Sequence, residues 1–282
     1  MEAELRHKEY RFSGIGGLNI FYQSWHPSEY ARLVAIIPGL GDHSGRYGYL
    51  MEALSEKGVA FYGMDMRGHG RSEGKRGFLS HYDHYLRDVL SFLEGIREAE
   101  PEKKIYLLGH SMGALTAIEF VLDYPKEASM LAGALISGPP LELGVKVPWI
   151  KKTAADLLSS LFPWITLGNE LDPAELSRDP EEVRKYVEDP LVHDRISLRL
   201  FTEMLRVQAD IMERASEYRL PSLFLHGGGD RIALATGTRA FFDKIPIEDK
   251  AIAVHEGYYH EWFNDLGRET YFAELEAWLE AH

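Results

Sequence analysis

Short, wholly apolar runs alternate along the chain with segments whose apolar residues recur every three to four positions. Leu33–Ile37, Val59–Met64, Ile105–Leu108, Leu131–Ile136, Ser222–Leu225 and Ala251–Val254 read as buried strands. Between them Tyr47–Lys57, Tyr82–Glu98, Met112–Leu122, Thr238–Lys244 and Glu269–Glu280 carry helical spacing, ending near breakers such as Gly58, Pro101 and Pro125. A strand covered on both faces has no solvent side to mark with polar residues. The alternation therefore predicts an α/β fold, with a mostly parallel central sheet and helices on both faces. Near the start, Lys8–Phe12 and Asn19–Trp25 flank Gly14-Ile-Gly-Gly17 and predict an antiparallel hairpin.

The alternation stops after Gly138-Pro-Pro140 and resumes at Leu220-Pro221. The stretch between is dominated by helical spacing. This predicts a core domain from residues 1–140 and 218–282 with an inserted helical cap over 141–217. Val147, Ile150, Ala154, Leu157, Leu158 and Leu161 recur on one helical face of that insertion, opposite Lys151, Lys152 and Asp156. Ile196–Tyr218 repeats the pattern through Leu198, Phe201, Leu205, Ile211 and Met212. The first face, with Phe162, Trp164 and Ile165 beyond it, is either subdomain core or a lipophilic entrance that touches lipid or micelles.

Composition narrows the chemistry. A chain of 282 residues, 45% apolar, accommodates one sizeable core plus an insertion. Its net charge of -13 repels phosphate backbones, so nucleic acid is an unsuitable partner and a neutral substrate fits better. The absence of cysteine removes disulfides, thiolate metal sites and cysteine nucleophiles. Met1–Tyr10 has no apolar core of a secretory signal. The longest uncharged stretch, Met130–Leu141, is too short to cross a bilayer and contains Gly138, Pro139 and Pro140. A cytoplasmic protein with at most superficial membrane contact is expected.

Gly109-His-Ser-Met-Gly113 lies between a strand and a helical run, the context in which such a pattern forms a nucleophile elbow at Ser111. The helix that follows directs its positive end at the serine oxygen. Two further matches come in the chain order nucleophile, acid, histidine: His226-Gly-Gly-Gly-Asp230 after a late strand, and Gly257-Tyr-Tyr-His260 after the last one. Asp230 taken alone also suits an Asx-turn in a glycine-rich loop. All three residues fall at strand C-terminal ends, where ligands gather in open α/β sheets. Ile37-Pro-Gly-Leu-Gly41 ends an early strand and supplies, with the elbow, two oxyanion donors: the backbone N–H groups of Leu40 and Met112. Asp65-Met-Arg-Gly-His-Gly70 suits loop geometry better than catalysis, and His81 and His84 suit solvated capping better than metal binding. His110, His226 and His255 read as packing or loop residues.

The chain resembles the monoacylglycerol lipase and lysophospholipase group of the α/β-hydrolases over nearly its whole length. Besides the elbow, the resemblance rests on Pro38-Gly-Leu-Gly-Asp-His-Ser-Gly-Arg-Tyr47 and Asp65-Met-Arg-Gly-His-Gly-Arg-Ser72. Within the cap it rests on Leu171-Asp-Pro173, Leu176-Ser-Arg-Asp-Pro180 and Asp189-Pro-Leu-Val-His193. It implies the α/β-hydrolase fold and makes Asp42, Arg46 and Tyr186 candidate contacts for the glycerol end of a monoglyceride. The family usually carries His and Glu where this chain has Pro38 and Asp42, so a shorter carboxylate must reach the same hydroxyl. The expected reaction is attack of Ser111 on an ester carbonyl, with His260 as base and Asp230 orienting it. An acyl-enzyme is then hydrolysed, and no metal or organic cofactor is required. A broad carboxylesterase, thioesterase or lysophospholipase would use the same triad, and a binding protein on a hydrolase scaffold is the alternative outside enzymology.

Overall fold

The computed structural model describes residues 5–144 and 157–282. Eight strands form one sheet in the order β1-β2-β4-β3-β5-β6-β9-β10. They are β1 (Arg6–Ser13), β2 (Asn19–His26), β3 (Arg32–Ile37), β4 (Val59–Met64), β5 (Lys104–His110), β6 (Gly133–Ser137), β9 (Ser222–Gly227) and β10 (Lys250–His255). β1 and β2 pair antiparallel, with Tyr10 opposite Tyr22, and β2 also runs antiparallel to β4. From β4 to β10 all pairings are parallel.

The apolar runs divide by side-chain parity, as a sheet covered on both faces requires. Leu33, Ala35 and Ile37 of β3, with Ile105 and Leu107 of β5, enter one buried cluster. Val34 and Ile36, with Tyr106 and Leu108, enter the other. The first face is covered by α2 (Asp83–Ala99) and α3 (Met112–Asp123), the second by α1 (Gly48–Ser55) and, near the C-terminus, Glu269–Ala281. The helix expected over Tyr47–Lys57 is a 3-10 turn, Ser44–Tyr47, followed by α1. A short helix α4 (Pro125–Ala128) and its turn take up Leu131, so the next strand begins two residues later than its apolar run.

Between β6 and β9 the chain leaves the sheet. Here β7 (Thr166–Gly168) pairs antiparallel with β8 (Arg195–Ser197), and α5 (Pro180–Glu188) lies between them in sequence. Asp179 caps α5 by accepting from the Glu181 N–H, with Pro180 at the first turn and Glu181 and Glu182 at the positive end. The second helical run begins as β8 and becomes α6 (Leu198–Glu213), where Ser197 caps the Leu200 N–H. Leu200, Val207 and Ile211 of α6 are fully buried in the same cluster as α3, each worth about 1.5–3 kcal/mol. Val147, Ile150 and Ala154 of the predicted cap helix lie outside the described residues. Residues 157–161 are helical, and Leu157, Leu158 and Leu161 are exposed, as are Phe162, Trp164, Ile165 and Leu167. This part of the insertion is not buried core. No helix among the described residues is long and apolar enough to cross a membrane.

Candidate active site

Ser111 sits between β5 and α3 with φ 53° and ψ -121°, a backbone state that costs a non-glycine residue about 1–3 kcal/mol. The two elbow glycines permit it. A Cβ on Gly109 would collide with the Gly113 backbone, and one on Gly113 with the Ile37 and Pro38 carbonyl oxygens. The Ser111 N–H donates to the Ser137 carbonyl at 2.9 Å, fixing the turn to β6. A Cβ built on Gly39 would lie 3.2 Å from the Ser111 Cβ, so the Gly39-Leu40 loop passes directly beside the serine. Met112 is the first residue of α3.

Asp230 and His260, thirty residues apart, meet with the imidazole Nδ1 2.6 Å from the carboxylate Oδ2. Both are buried. The other carboxylate oxygen, Oδ1, accepts from the N–H groups of Ile232 and Ala233, so one side chain forms the Asx-turn and also holds the histidine. His226, which the sequence marks as a packing or loop residue, has Nε2 2.9 Å from the Ala233 carbonyl oxygen and 3.2 Å from Asp230 Oδ2. Burial opposes ionisation of Asp230, but the His260 charge and the hydrogen bonds from His226 and His260 hold it well below the usual carboxylate range. Burial likewise opposes charging His260, and the Asp230 carboxylate outweighs it, leaving the ring's pKa raised. His110 packs 4.8 Å from the His260 ring, centroid to centroid, and burial with that neighbour depresses its pKa to about 3. It is a neutral packing partner.

Asp42, Arg46 and Tyr186 also come together. Arg46 donates to Asp42 Oδ1 at 3.1 Å, and its guanidinium carbon lies 4.6 Å from the centroid of the Tyr186 ring on α5. Sequence reasoning missed the residue that dominates this cluster. Glu261, next to His260, receives a fork of two hydrogen bonds from Arg46 at 2.7 and 2.6 Å. Burial raises the cost of its charge, yet Arg46 overcomes this and holds it down at about 2. Asp42 has only one bond from the guanidinium and feels Glu261 as a like charge, so burial raises its pKa. The Tyr47 hydroxyl donates to it at 3.2 Å. An open groove of about 390 Å³ runs along the outer side of Arg46 between Tyr49, Glu182, Lys185 and Asn264, and none of Ser111, Asp230 or His260 lines it.

The insertion grips both loops. Leu176 accepts from the Glu261 N–H, while Ser177 and Arg178 bind the Asp265 carboxylate. Farther on, Asp189 lies 2.9 Å from His43 Nε2 and the His193 N–H donates to the Gly41 carbonyl at 3.1 Å. Gly41, at φ 77°, has no room for a Cβ beside the His193 backbone. Asp65 fixes loop geometry as expected, accepting from Ser44 N–H and Oγ and from the Arg71 N–H. Arg67 forms a buried fork with Asp88. His81 and His84 have rings 5.7 Å apart. The acidic group among the described residues that could surround a cation is Glu119, Asp123 and Asp210, and there Arg214 already bridges Asp123 and Asp210.

A strained serine between a central parallel strand and its helix, with an acid–histidine pair delivered by the last two strands, defines the class as an α/β-hydrolase. The family described as serine aminopeptidase, S33, matches residues 28–267. A monoacylglycerol lipase from Mycolicibacterium smegmatis is 31% identical over 276 residues, 97% of either chain. The monoglyceride lipase of Rattus norvegicus is 30% identical, covering 93% of this chain and 87% of that protein. The crystal structure of Paleococcus ferrophilus monoacylglycerol lipase superposes with a TM-score of 0.81 at 34% identity over 99% of both chains. A monoglyceride lipase variant from Saccharomyces cerevisiae shares the fold at a TM-score of 0.85 and 22% identity, over 100% of this chain and 96% of that one. The chain belongs to this serine hydrolase family, in the group that contains the monoacylglycerol lipases.

Proposed function

We propose that the protein is a serine ester hydrolase that cleaves monoacylglycerols to fatty acid and glycerol. The observation that carries the reading is the buried His260–Asp230 pair at 2.6 Å together with the strained Ser111 elbow. Ser111 attacks the ester carbonyl while His260 takes its proton, and Asp230 holds the imidazole and supports its charge. The backbone N–H groups of Leu40 and Met112 receive the oxyanion, and α3 aims its positive end at the same point. Water activated by His260 then releases the fatty acid. These steps use the chain's own residues alone.

Residues 141–217 serve as the cap. Asp42, Arg46 and Tyr186 form the polar end that receives the two free hydroxyls, and the apolar side of the cap receives one acyl chain. Leu157, Leu158, Leu161, Phe162, Trp164, Ile165 and Leu167, all exposed, give the cap an apolar surface for micelle or membrane contact by an otherwise cytoplasmic protein. The test combines trapping by a serine-directed phosphonate with a hydrolysis panel of mono-, di- and triglycerides and lysophospholipids. Labelling at Ser111 and preference for monoglycerides are expected. An unlabelled protein inert on every ester would favour a binding role on a hydrolase scaffold.

A further inference from the structure

The Arg46–Glu261 fork joins two loops that must keep a fixed spacing for the proposed reaction to run. Arg46 lies six residues beyond Leu40, in the turn that continues the proposed oxyanion loop, and Glu261 follows the proposed base directly. Both side chains are buried, at 9% and 4% exposure, where a charge without its partner is strongly unfavourable. The fork constrains the distance between the loops and also the plane in which they meet. Asn264 closes it from the third side, donating to Glu261 Oε2 at 3.1 Å and to the Arg46 carbonyl at 3.3 Å. Tyr186, supplied by α5, lies over the guanidinium, its ring centroid 4.6 Å from the Arg46 guanidinium carbon.

We infer that Glu261 is a positioning residue, holding the His260 loop and the Leu40 loop in one relation through its fork to Arg46. The inference rests on the site reading above. It assigns to Glu261 two effects that a merely structural ion pair would not have. Loss of the fork lets base and oxyanion donors drift apart, and a displacement of about 1 Å at such a site costs on the order of 100-fold in rate. Loss of its charge also removes one of the anions that favour the protonated form of His260. The ionisable groups facing the fork are Asp42 and Tyr47 from the turn after β3, with Tyr271 behind Tyr47. The others are Tyr186 and Asp189 from the insertion, His110 at the end of β5, and His260 backed by Asp230.

The experiment compares wild type, Glu261→Gln and Glu261→Asp for kcat, KM, the pH profile of kcat/KM and phosphonate labelling of Ser111. Glu261→Gln is expected to lower kcat about 10- to 100-fold with KM within about threefold, and to move the acid limb to lower pH. Glu261→Asp keeps the charge but is one methylene shorter. Its acid limb should stay near wild type while kcat remains reduced. Should Glu261→Gln fail to fold, the aspartate variant decides alone: lowered kcat with an unmoved acid limb supports the inference. Variants with kcat within about twofold of wild type and unmoved profiles would overturn it. A wild-type enzyme unlabelled at Ser111 would instead overturn the site reading, and the inference with it.

Discussion

Helix α3 carries one cluster of carboxylates, and a second, built differently, lies in the loops around His260. In those loops Asp230 and Glu261 are buried yet held ionised by His260 and by the Arg46 fork. Toward the C-terminus of α3, Glu119 and Asp123 face Asp210 of α6, and Arg214 binds Asp123 and Asp210 at 2.7 and 2.8 Å. Glu119 is 2% exposed and its Oε2 has no hydrogen-bond partner among the described residues. Burial, reinforced by Asp123 and Asp210, lifts its pKa to about 7. Asp230 and Glu261, each facing a cationic partner, are held ionised, whereas Glu119, buried beside two further acids, is shifted toward its protonated form. The proposed chemistry uses the loop cluster, while the cluster on α3 joins helix α6 to the core.

Substitutions at the proposed catalytic centre should therefore be severe in rate and mild in stability. Ser111→Ala is expected to remove about 10⁴-fold or more of the ester hydrolysis, with a near-normal melting temperature. Asp230→Asn, which preserves shape but no longer supports the imidazolium, should cost about 10⁴-fold in kcat with a modest change in binding. Turnover and thermal unfolding measured on the same samples check both. If Asp65→Asn lost more activity than Asp230→Asn without unfolding, the acid would be misassigned.

The next effect is in pH. His260 has its pKa raised, so the acid limb of kcat/KM should fall above the roughly 6.5 of an unperturbed imidazole. A profile flat to about pH 4 for an ester whose chemical step limits turnover would contradict a histidine base. Smaller still is substrate selectivity: Asp42→Ala or Arg46→Ala should narrow the preference for mono- over triglyceride by about tenfold to a hundredfold, since each removes a polar group that an acylated glycerol would leave unpaired in the wild type.

The smallest effect belongs to the cluster on α3. A carboxyl with a folded pKa raised to about 7, above its ordinary value of 4.5, favours the folded state below about pH 4.5. That contribution is lost as pH rises through 7. Glu119→Gln, which mimics the protonated form, should stabilise by about 1–3 kcal/mol at pH 8 and change little at pH 4. Thermal unfolding at the two pH values checks this, and activity at 25 °C should remain near wild type. Equal shifts at both would mean that Glu119 does not carry the burden of ionisation.

The sheet was legible because strands buried on both faces appear as unbroken apolar runs, and their parity places Leu33 and Val34 on opposite faces without further information. The approach of Asp230 to His260 was legible from chain order and from the strand ends that deliver them. Other features had no local signal. The partners of the Arg46–Glu261 fork stand 215 positions apart, and the one hint was a glutamate set among the buried aromatics Trp262 and Phe263. His226 sits within an apolar strand, and only the fold of the glycine loop turns its Nε2 toward Asp230. β7 and β8, of three residues each, are too short for alternation to register, so the run expected to be helical from Ile196 starts as a strand.

The proposed function requires a single serine centre, beneath a cap with one polar end, that hydrolyses monoglycerides. The most direct measurement is kcat/KM for mono- and trioleoylglycerol presented in the same detergent micelles, for wild type and Ser111→Ala. Wild type should prefer the monoglyceride by at least about tenfold to a hundredfold, and Ser111→Ala should lose both activities. Equal wild-type rates on the two lipids, or a serine variant that retains the preference, would contradict the account.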